Sequence, residues 1–314
     1  MARLAILIDR LPEDPSWKGA YLWQVVRALA DSQHDVTVFT TEDPERVGIT
    51  HARLTVARPA SHFGVDKMGR WTQALLTLRP HIIHTFALNP TPRWPTLSVW
   101  PYLDSVCRLL PEVRRVSTFF DRSDLRPRSP EWKWHLGSHA WTVFSPTLAA
   151  TASTLFSGPI DIAPVEDLAE TPHQVASAID PYLFVAAPVS EWRDRESGLS
   201  LLTEFLSKHK DLVAHINGGW GELSLNERRR GWQSLNSVST RVRLLAPQSL
   251  ASFAEKVAGA SRLWLEGVAA DSWRYQVSTQ MAQALGKELI GAREAGLGLA
   301  NGSTANFLSR LYLR

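Results

Sequence analysis

Glycines at the ends of apolar strands are the residues of this chain best placed to do chemistry. Pro12-Glu13-Asp14-Pro15-Ser16-Trp17-Lys18-Gly19 follows the strand-like run Leu4-Ala5-Ile6-Leu7-Ile8, and a helix with Leu22, Val25, Val26 and Leu29 on one face comes next. Strand, glycine loop, helix, strand is how an α/β sheet opens when a helix N-terminus holds a phosphorylated ligand. One glycine is far from a Gly-x-Gly-x-x-Gly fingerprint, so an ordinary strand-to-helix connection is the competing reading. A second glycine loop, Asn217-Gly218-Gly219-Trp220-Gly221, follows a strand at 212–216 in a unit that starts afresh at Tyr182. Glycine there lets backbone N–H groups approach a phosphate, or simply permits a tight turn.

Two such loops require two sheets to hold them. In the first half, strand candidates at 36–39, 81–86, 113–119, 140–144 and 160–165 follow the opening unit. Among the helices between them, one carries Trp71, Ala74, Leu75 and Leu78 on one face and ends at Arg79-Pro80. Such alternation predicts a parallel sheet covered on both faces. The polar, proline-containing stretch 166–180 reads as a linker. Beyond it come strands at 182–186, 212–216, 242–245, 263–265 and 288–290. Helices are predicted near 198–208, around Leu250, Phe253, Ala254 and Val257, over 277–285, and around 304–312. The expected fold is α/β with two Rossmann-like domains, 1–170 and 171–314, and a ligand cleft between them.

Bulk properties narrow the field. A chain of 314 residues with 44% hydrophobic and 21% charged residues is ordinary globular material, long enough for two domains. No apolar run approaches the roughly 20 residues of a membrane span. Asp9 and Arg10 end the first apolar run too soon for a signal peptide. The single cysteine, Cys107, excludes an intrachain disulfide and a cysteine-based zinc cluster. A soluble, cytoplasmic protein is expected. The net charge of +3 is mildly basic. Arginine clusters at 108–133 and at Arg228-Arg229-Arg230 offer contacts to phosphates or anionic headgroups, although Glu112, Asp121, Asp124 and Glu131 dilute the first. Nothing points to nucleic acid as a partner. The 13 tryptophans include Trp23, Trp71 and Trp264, which fall in periodic or strand-like segments and are expected in the core.

The order of these segments resembles the GT-B retaining glycosyltransferases, specifically the large group-one, family-four type that includes bacterial mannosyl- and glucosyltransferases of cell-surface glycans. The segment Leu-Ala-Asp-Ser-Gln-His-Asp-Val-Thr-Val-Phe-Thr over 29–40 is similar to that family's "LA..GHEVTVFT", and Arg79-Pro80-His81-Ile82-Ile83-His84-Thr85 to its "PDIIHTH". Residues 261–282 are similar, without a gap, to its strand followed by E-x7-E and Ala-Met-Ala. The resemblance covers nearly the whole chain. It implies transfer of a hexose from a nucleotide-diphosphate sugar to a glycan or lipid-linked acceptor, with no cofactor beyond the donor substrate and no metal. Peripheral contact with the inner membrane face, through basic and Trp-bearing N-domain loops, is the accompanying expectation. The chain ends at Leu313-Arg314, where the closing crossover helix of the family would be cut short.

The resemblance also assigns residues. Lys18, Gly19, Asn217, Gly218 and Gly219 fall on donor-side loops, and Asp271 and Thr279 on the two carboxylate positions of E-x7-E. Thr279 can hydrogen-bond a ribose hydroxyl but supplies no charge. The Arg and Lys that neutralise the leaving diphosphate are not at their expected places, which read Ala187-Pro188-Val189 and Glu196-Ser197-Gly198. Arg193 and Arg195 are the substitutes available in the same loop, unless they are solvated surface residues. Asp121 keeps the aspartate of a His-Asp pair whose histidine position is Phe120, and His84 matches the first histidine of "IIHTH" while Phe86 replaces the second. His84 and Asp121 are therefore the candidate catalytic or acceptor-side groups, the alternative for His84 being a hydrogen-bonded strand-end histidine. With several charges replaced at once, a catalytically inactive homologue serving as partner or regulatory subunit of an active transferase is the second reading.

Overall fold

The computed structural model describes residues 2–8, 17–41, 43–44, 51–62, 65–86, 103–104, 107–110, 112–125, 132–164, 181–248, 250–269, 272–291, 307–308 and 311–312. Contacts group Met1–Pro164 with Leu299–Arg314 as one compact unit, and Val165–Gly298 as a second. The expected linker at 166–180 lies outside the described residues. The tail differs from the expected 171–314 domain, because it clusters with the first unit. Phe307, Leu308, Leu311 and Tyr312 are buried there, and the Tyr312 hydroxyl lies 2.5 Å from His84 Nδ1.

In the first unit the strands are β1 (Arg3–Leu7), β2 (Asp35–Phe39), β3 (Leu54–Ala57), β4 (Ile82–Phe86), β5 (Arg114–Thr118), β6 (Ala140–Val143) and β7 (Ile160–Ile162). They form a seven-stranded parallel sheet in the order β3-β2-β1-β4-β5-β6-β7. Parallel neighbours need crossovers rather than tight turns. Helices α1 (Trp17–Asp31), α2 (Met68–Leu78), α3 (Trp132–Leu136) and α4 (Pro146–Ser153) lie between strands. Both faces of β1 are covered, so Leu4, Ala5, Ile6 and Leu7 are all fully buried. The predicted stripe Leu22, Val25, Val26 and Leu29 is buried, as are Trp71 and Trp264, while Trp23 is half-buried. Arg79 ends α2 in a left-handed conformation (φ 45°), donating its N–H to Leu75, and Pro80 prevents continuation.

A polar seam runs through this core. Ser117 Oγ meets Thr85 Oγ1 at 3.1 Å, Ser138 Oγ at 2.8 Å and His135 Nδ1 at 3.1 Å. Trp134 Nε1 donates to Thr85 Oγ1 at 3.2 Å. Asp104, buried, receives the Arg115 guanidinium.

The second unit holds β8 (Tyr182–Val185), β9 (Val213–Ile216), β10 (Val242–Leu244), β11 (Arg262–Trp264) and β12 (Glu288–Ile290). They pair in parallel in the order β10-β9-β8-β11-β12. Its helices are α5 (Arg195–Lys208), α6 (Leu225–Ser234), α7 (Leu250–Gly259) and α8 (Trp273–Ala284). Helices α5 and α8 begin earlier than apolar periodicity suggests, because caps set their starts. Asp194 accepts the Ser197 N–H, and Ser272 accepts the Tyr275 N–H. In each sheet the strand order reverses beside the first strand, between β1 and β4 and between β8 and β11. Ligands of such sheets bind outside the strands' carboxyl ends at that reversal.

Burial pushes His84 and His135 down to about 3, against an ordinary value of about 6.5. Both are therefore neutral in the fold while the unfolded chain takes up protons below pH about 6.5, so stability falls as pH drops from there toward 3. Each buried histidine contributes a slope of up to about 1.4 kcal/mol per pH unit. Urea midpoints measured between these limits should fall steeply, and His135→Gln should flatten the profile relative to the parent. An unchanged slope in that variant would mean His135 is not held neutral.

Candidate functional site

The carboxyl edge of the second sheet is built from the turns after β8, β9 and β11. Asn217 is buried, donating from Nδ2 to the Ala186 carbonyl (3.1 Å) and accepting the Gln248 N–H at Oδ1 (3.0 Å). Gly218, Gly219 and Gly221 all have positive φ, of 72°, 54° and 62°, a region only glycine adopts freely. Their missing side chains also make room for protein. A Cβ would lie 3.2 Å from Pro188 Cβ at Gly218, 3.3 Å from Leu244 Cβ at Gly219 and 2.0 Å from Ser190 Oγ at Gly221. The Val189 N–H donates to the Gly219 carbonyl at 3.0 Å. These glycines thus seat the 186–194 segment directly on the turn. The N–H groups of Asn217, Gly219 and Gly221 are engaged by Val185, Ile216 and Gly218 carbonyls.

That segment is also joined to the turn after β11. Trp192 forms an antiparallel bridge with Val268, and the Arg193 N–H donates to the Gly267 carbonyl at 2.7 Å. The Trp192 indole fills the space beside Gly198 and Gly267 and donates to the Ala187 carbonyl at 3.2 Å. Glu191 receives the Arg274 guanidinium at 2.8 and 3.3 Å. An open depression is lined by Trp192, Arg193, Asp194, Arg195 and Glu196. Of the two candidate cations there, Arg195 is bound to Glu227 at 2.7 Å. The Arg193 side chain is exposed and has no partner among the described residues. Trp192, which sequence reasoning passed over, is the residue that organises this loop. Its signal was a lone tryptophan flanked by charged residues.

On α8, Thr279 is 2% exposed and its hydroxyl has no hydrogen-bond partner among the described residues. The neighbouring Ser278 Oγ and Gln280 Oε1 share that condition. A buried polar atom left this way costs about 1–3 kcal/mol. Asp271 lies outside the described residues.

The first unit brings together two residues that the sequence places in different sites. Lys18 Nζ lies 2.8 Å from Asp121 Oδ2 and 3.6 Å from Asp124 Oδ2, and 5.1 Å from the centre of the Phe120 ring. Asp124 also accepts the N–H groups of Phe120 and Asp121, at 2.9 Å each. Burial alone would lower the Lys18 ammonium, but the two carboxylates outweigh it and hold it above its ordinary value. Burial raises Asp124, with Lys18 opposing. Gly19, next to Lys18, is buried. His84 is 2% exposed, between Tyr312 Oη (2.5 Å, at Nδ1) and Thr118 Oγ1 (2.7 Å, at Nε2), with its ring stacked on Phe86. With both nitrogens engaged and the ring neutral, it has the geometry of the hydrogen-bonded strand histidine that was its alternative reading. No cluster of three or more metal-ligating side chains occurs among the described residues.

No family model matches the chain, and no curated protein matches it by sequence. Solved structures do match by fold. A glycosyltransferase from Rickettsia africae superposes with a TM-score of 0.64 at 10% identity, over 96% of this chain and 82% of the other. Sucrose-phosphate synthase from Thermosynechococcus elongatus gives 0.59 at 15% identity, over 100% and 90%. UDP-GlcNAc 2-epimerase from Methanocaldococcus jannaschii gives 0.58 at 10% identity, over 99% of each chain. The protein has the GT-B glycosyltransferase-like fold, α/β with two Rossmann-like units.

Glycine at 221 answers both a positive φ and a near contact, whereas Gly286 has φ 63° and nothing within 4 Å of where a Cβ would stand. Gly286→Ala should therefore cost only the backbone penalty, about 1–2 kcal/mol. Gly221→Ala should cost clearly more, by a further 1–3 kcal/mol or so as Ser190 is displaced. Urea melts of the two variants check this, and equal losses would remove the packing role given to Gly221.

Proposed function

We propose that this protein is glycosyltransferase-like in function as well as fold, and that its second unit binds a nucleotide-diphosphate sugar. The reaction that follows from this reading is transfer of a hexose to a glycan or lipid-linked acceptor in cell-surface polysaccharide or glycolipid synthesis. The observation that carries it is the buried, unpartnered hydroxyl of Thr279, at the position where the resemblance places a ribose contact. A ribose hydroxyl is the kind of partner this atom lacks. Arg193, exposed and without a partner among the described residues, is the cation available to a diphosphate. Fold neighbours that use nucleotide sugars, such as the archaeal epimerase named for UDP-GlcNAc, make UDP the first nucleotide to try.

A second reading has its own support. Arg195 is tied to Glu227 and Lys18 to Asp121, and the space beside the glycine turn is filled by Pro188, Ser190 and Leu244. A transferase relative that has ceased to neutralise a leaving diphosphate would tolerate these arrangements, and would act as partner or regulatory subunit of an active enzyme.

Calorimetric titration with UDP, GDP and their sugar conjugates separates the two. Micromolar binding of one nucleotide, weakened about tenfold by Thr279→Val, is the expected result. The same substitution should leave the unliganded protein as stable as before or slightly more so, because it removes an unpaired buried hydroxyl. No heat with any nucleotide would favour the partner reading and direct the search to a catalytic subunit.

A further inference from the structure

We propose that the face of the second sheet beside α7 carries a phosphate-binding site formed by His215, Arg243 and Lys256, separate from the turns at the carboxyl edge. Strand pairing brings the first two together. His215 on β9 stands opposite Arg243 on β10 and Phe184 on β8, and residues paired in this way share a face of the sheet. Helix α7 covers the inner end of that row, where Phe253 packs on Phe184 with ring centres 5.0 Å apart. Farther out, His215 is half-buried and Arg243 exposed. Lys256 comes from α7 itself, three residues before Gly259 and therefore on the same side of the helix. That side faces Tyr182, whose hydroxyl would lie 2.9 Å from a Cβ at Gly259.

Tyr182 gives the site its rigid floor. Its hydroxyl donates to the Lys256 carbonyl at 2.6 Å, and its ring stacks on His215 with centres 4.5 Å apart and planes 24° from parallel. The imidazole is thus held in a fixed plane against the first residue of β8, leaning away from the glycine turns. Packing of this kind positions a binding group better than a loop does.

Charge identifies the ligand. Arg243 and Lys256 have no ion pair or side-chain hydrogen bond among the described residues, and the His215 ring nitrogens have no hydrogen bond there either. Burial, followed by these two cations, holds the imidazole below its ordinary value, so both charges acting on the ring are positive. Other arginines of this protein carry their own counterions, as Arg115 does in Asp104 and Arg195 in Glu227. Like charges gathered without a carboxylate repel one another until an anion arrives. A phosphate dianion presents tetrahedral oxygens to a guanidinium fork, an ammonium and an imidazole N–H together, and it relieves the repulsion that keeps the ring neutral. Inorganic phosphate and a phosphate ester share this chemistry.

Histidine ring NMR of the full chain tests this, with the His215 signal assigned by its loss in His215→Gln. Inorganic phosphate should move that signal saturably and raise the pH at which the ring titrates, because a bound anion favours the imidazolium. Acetate at equal ionic strength should do neither. Arg243→Ala and Lys256→Ala should each weaken the response about fivefold, the size of one close charge pair in water. Both positions are exposed, and the Tyr182 bond uses the Lys256 backbone, so the urea midpoint should stay in place. Arg193→Ala, at the proposed donor site, should leave the response unchanged, which keeps this test independent of the donor reading. Methyl phosphate is the second probe: a tighter response than to inorganic phosphate assigns the site to an ester, and a weaker one to the free anion. A His215 signal indifferent to both probes, an equal response to acetate, or phosphate binding lost in Arg193→Ala but kept in Arg243→Ala would each overturn the proposal.

Discussion

The architecture at the carboxyl edge of the second sheet depends on one close approach, that of Ser190 to Gly221. A Cβ at Gly221 would stand 2.0 Å from Ser190 Oγ, so the backbone of the glycine turn serves as the wall on which the preceding loop is packed. Because the loop sits that close, Val189 reaches the Gly219 carbonyl and the chain coils into the short 3₁₀ turn Val189–Glu191. The coil delivers Trp192 between Gly198 and Gly267, and Glu191 to Arg274. Three turns from three strands thereby become one packed layer. A site on such a layer is positioned by packing rather than by the average pose of a mobile loop.

The same packing explains what became of the charges. Diphosphate chemistry needs cations that stay unpaired until a ligand arrives. Arg195 at the start of α5 reaches Glu227 at the start of α6, and so joins the two helices instead. Arg274 does the equivalent for α8 through Glu191. In the first unit, Lys18 links the start of α1 to Asp121 and Asp124 beyond β5. The surface pairs Arg195–Glu227 and Arg274–Glu191 are worth little individually. Their effect is directional, since each fixes a helix N-terminus relative to a neighbouring turn and withdraws a cation from other use.

Much of the fold was legible because parallel sheets demand continuous apolar strands, and Leu4–Leu7 or Tyr182–Val185 can be read as little else. What escaped were elements specified by capping rather than by hydrophobic periodicity. Helix α6 reads as a charged loop until Ser224 and Glu227 are recognised as a reciprocal capping box. β3 is a short, half-buried edge strand whose Leu-Thr-Val-Ala carries too little pattern to stand out. The site was less legible than the fold. Gly218 and Gly219 take positive φ, but a positive φ looks the same in sequence whether phosphate or Pro188 lies beside it. The pairing of Lys18 with Asp121 was hidden for a similar reason, because 103 positions separate them in the chain while β1 and β5 flank the same central strand β4.

Helix α8 carries the argument furthest. A surface helix would show one apolar stripe, yet Tyr275, Gln276, Val277, Ser278, Thr279, Gln280, Met281 and Ala282 are all buried. Evolution of a purely structural helix in that position would favour apolar side chains, since each unpaired buried polar atom opposes folding by about 1–3 kcal/mol. Set against a typical net stability of about 5–15 kcal/mol, three such atoms on consecutive residues are a heavy load. Successive side chains on a helix diverge by about 100°, so no single small ligand can meet Ser278, Thr279 and Gln280 together. Only Thr279 coincides with a position where the resemblance calls for a sugar hydroxyl. If the helix kept its polar residues merely by drift, nothing would distinguish Thr279 from its neighbours; a nucleotide that engages it alone would.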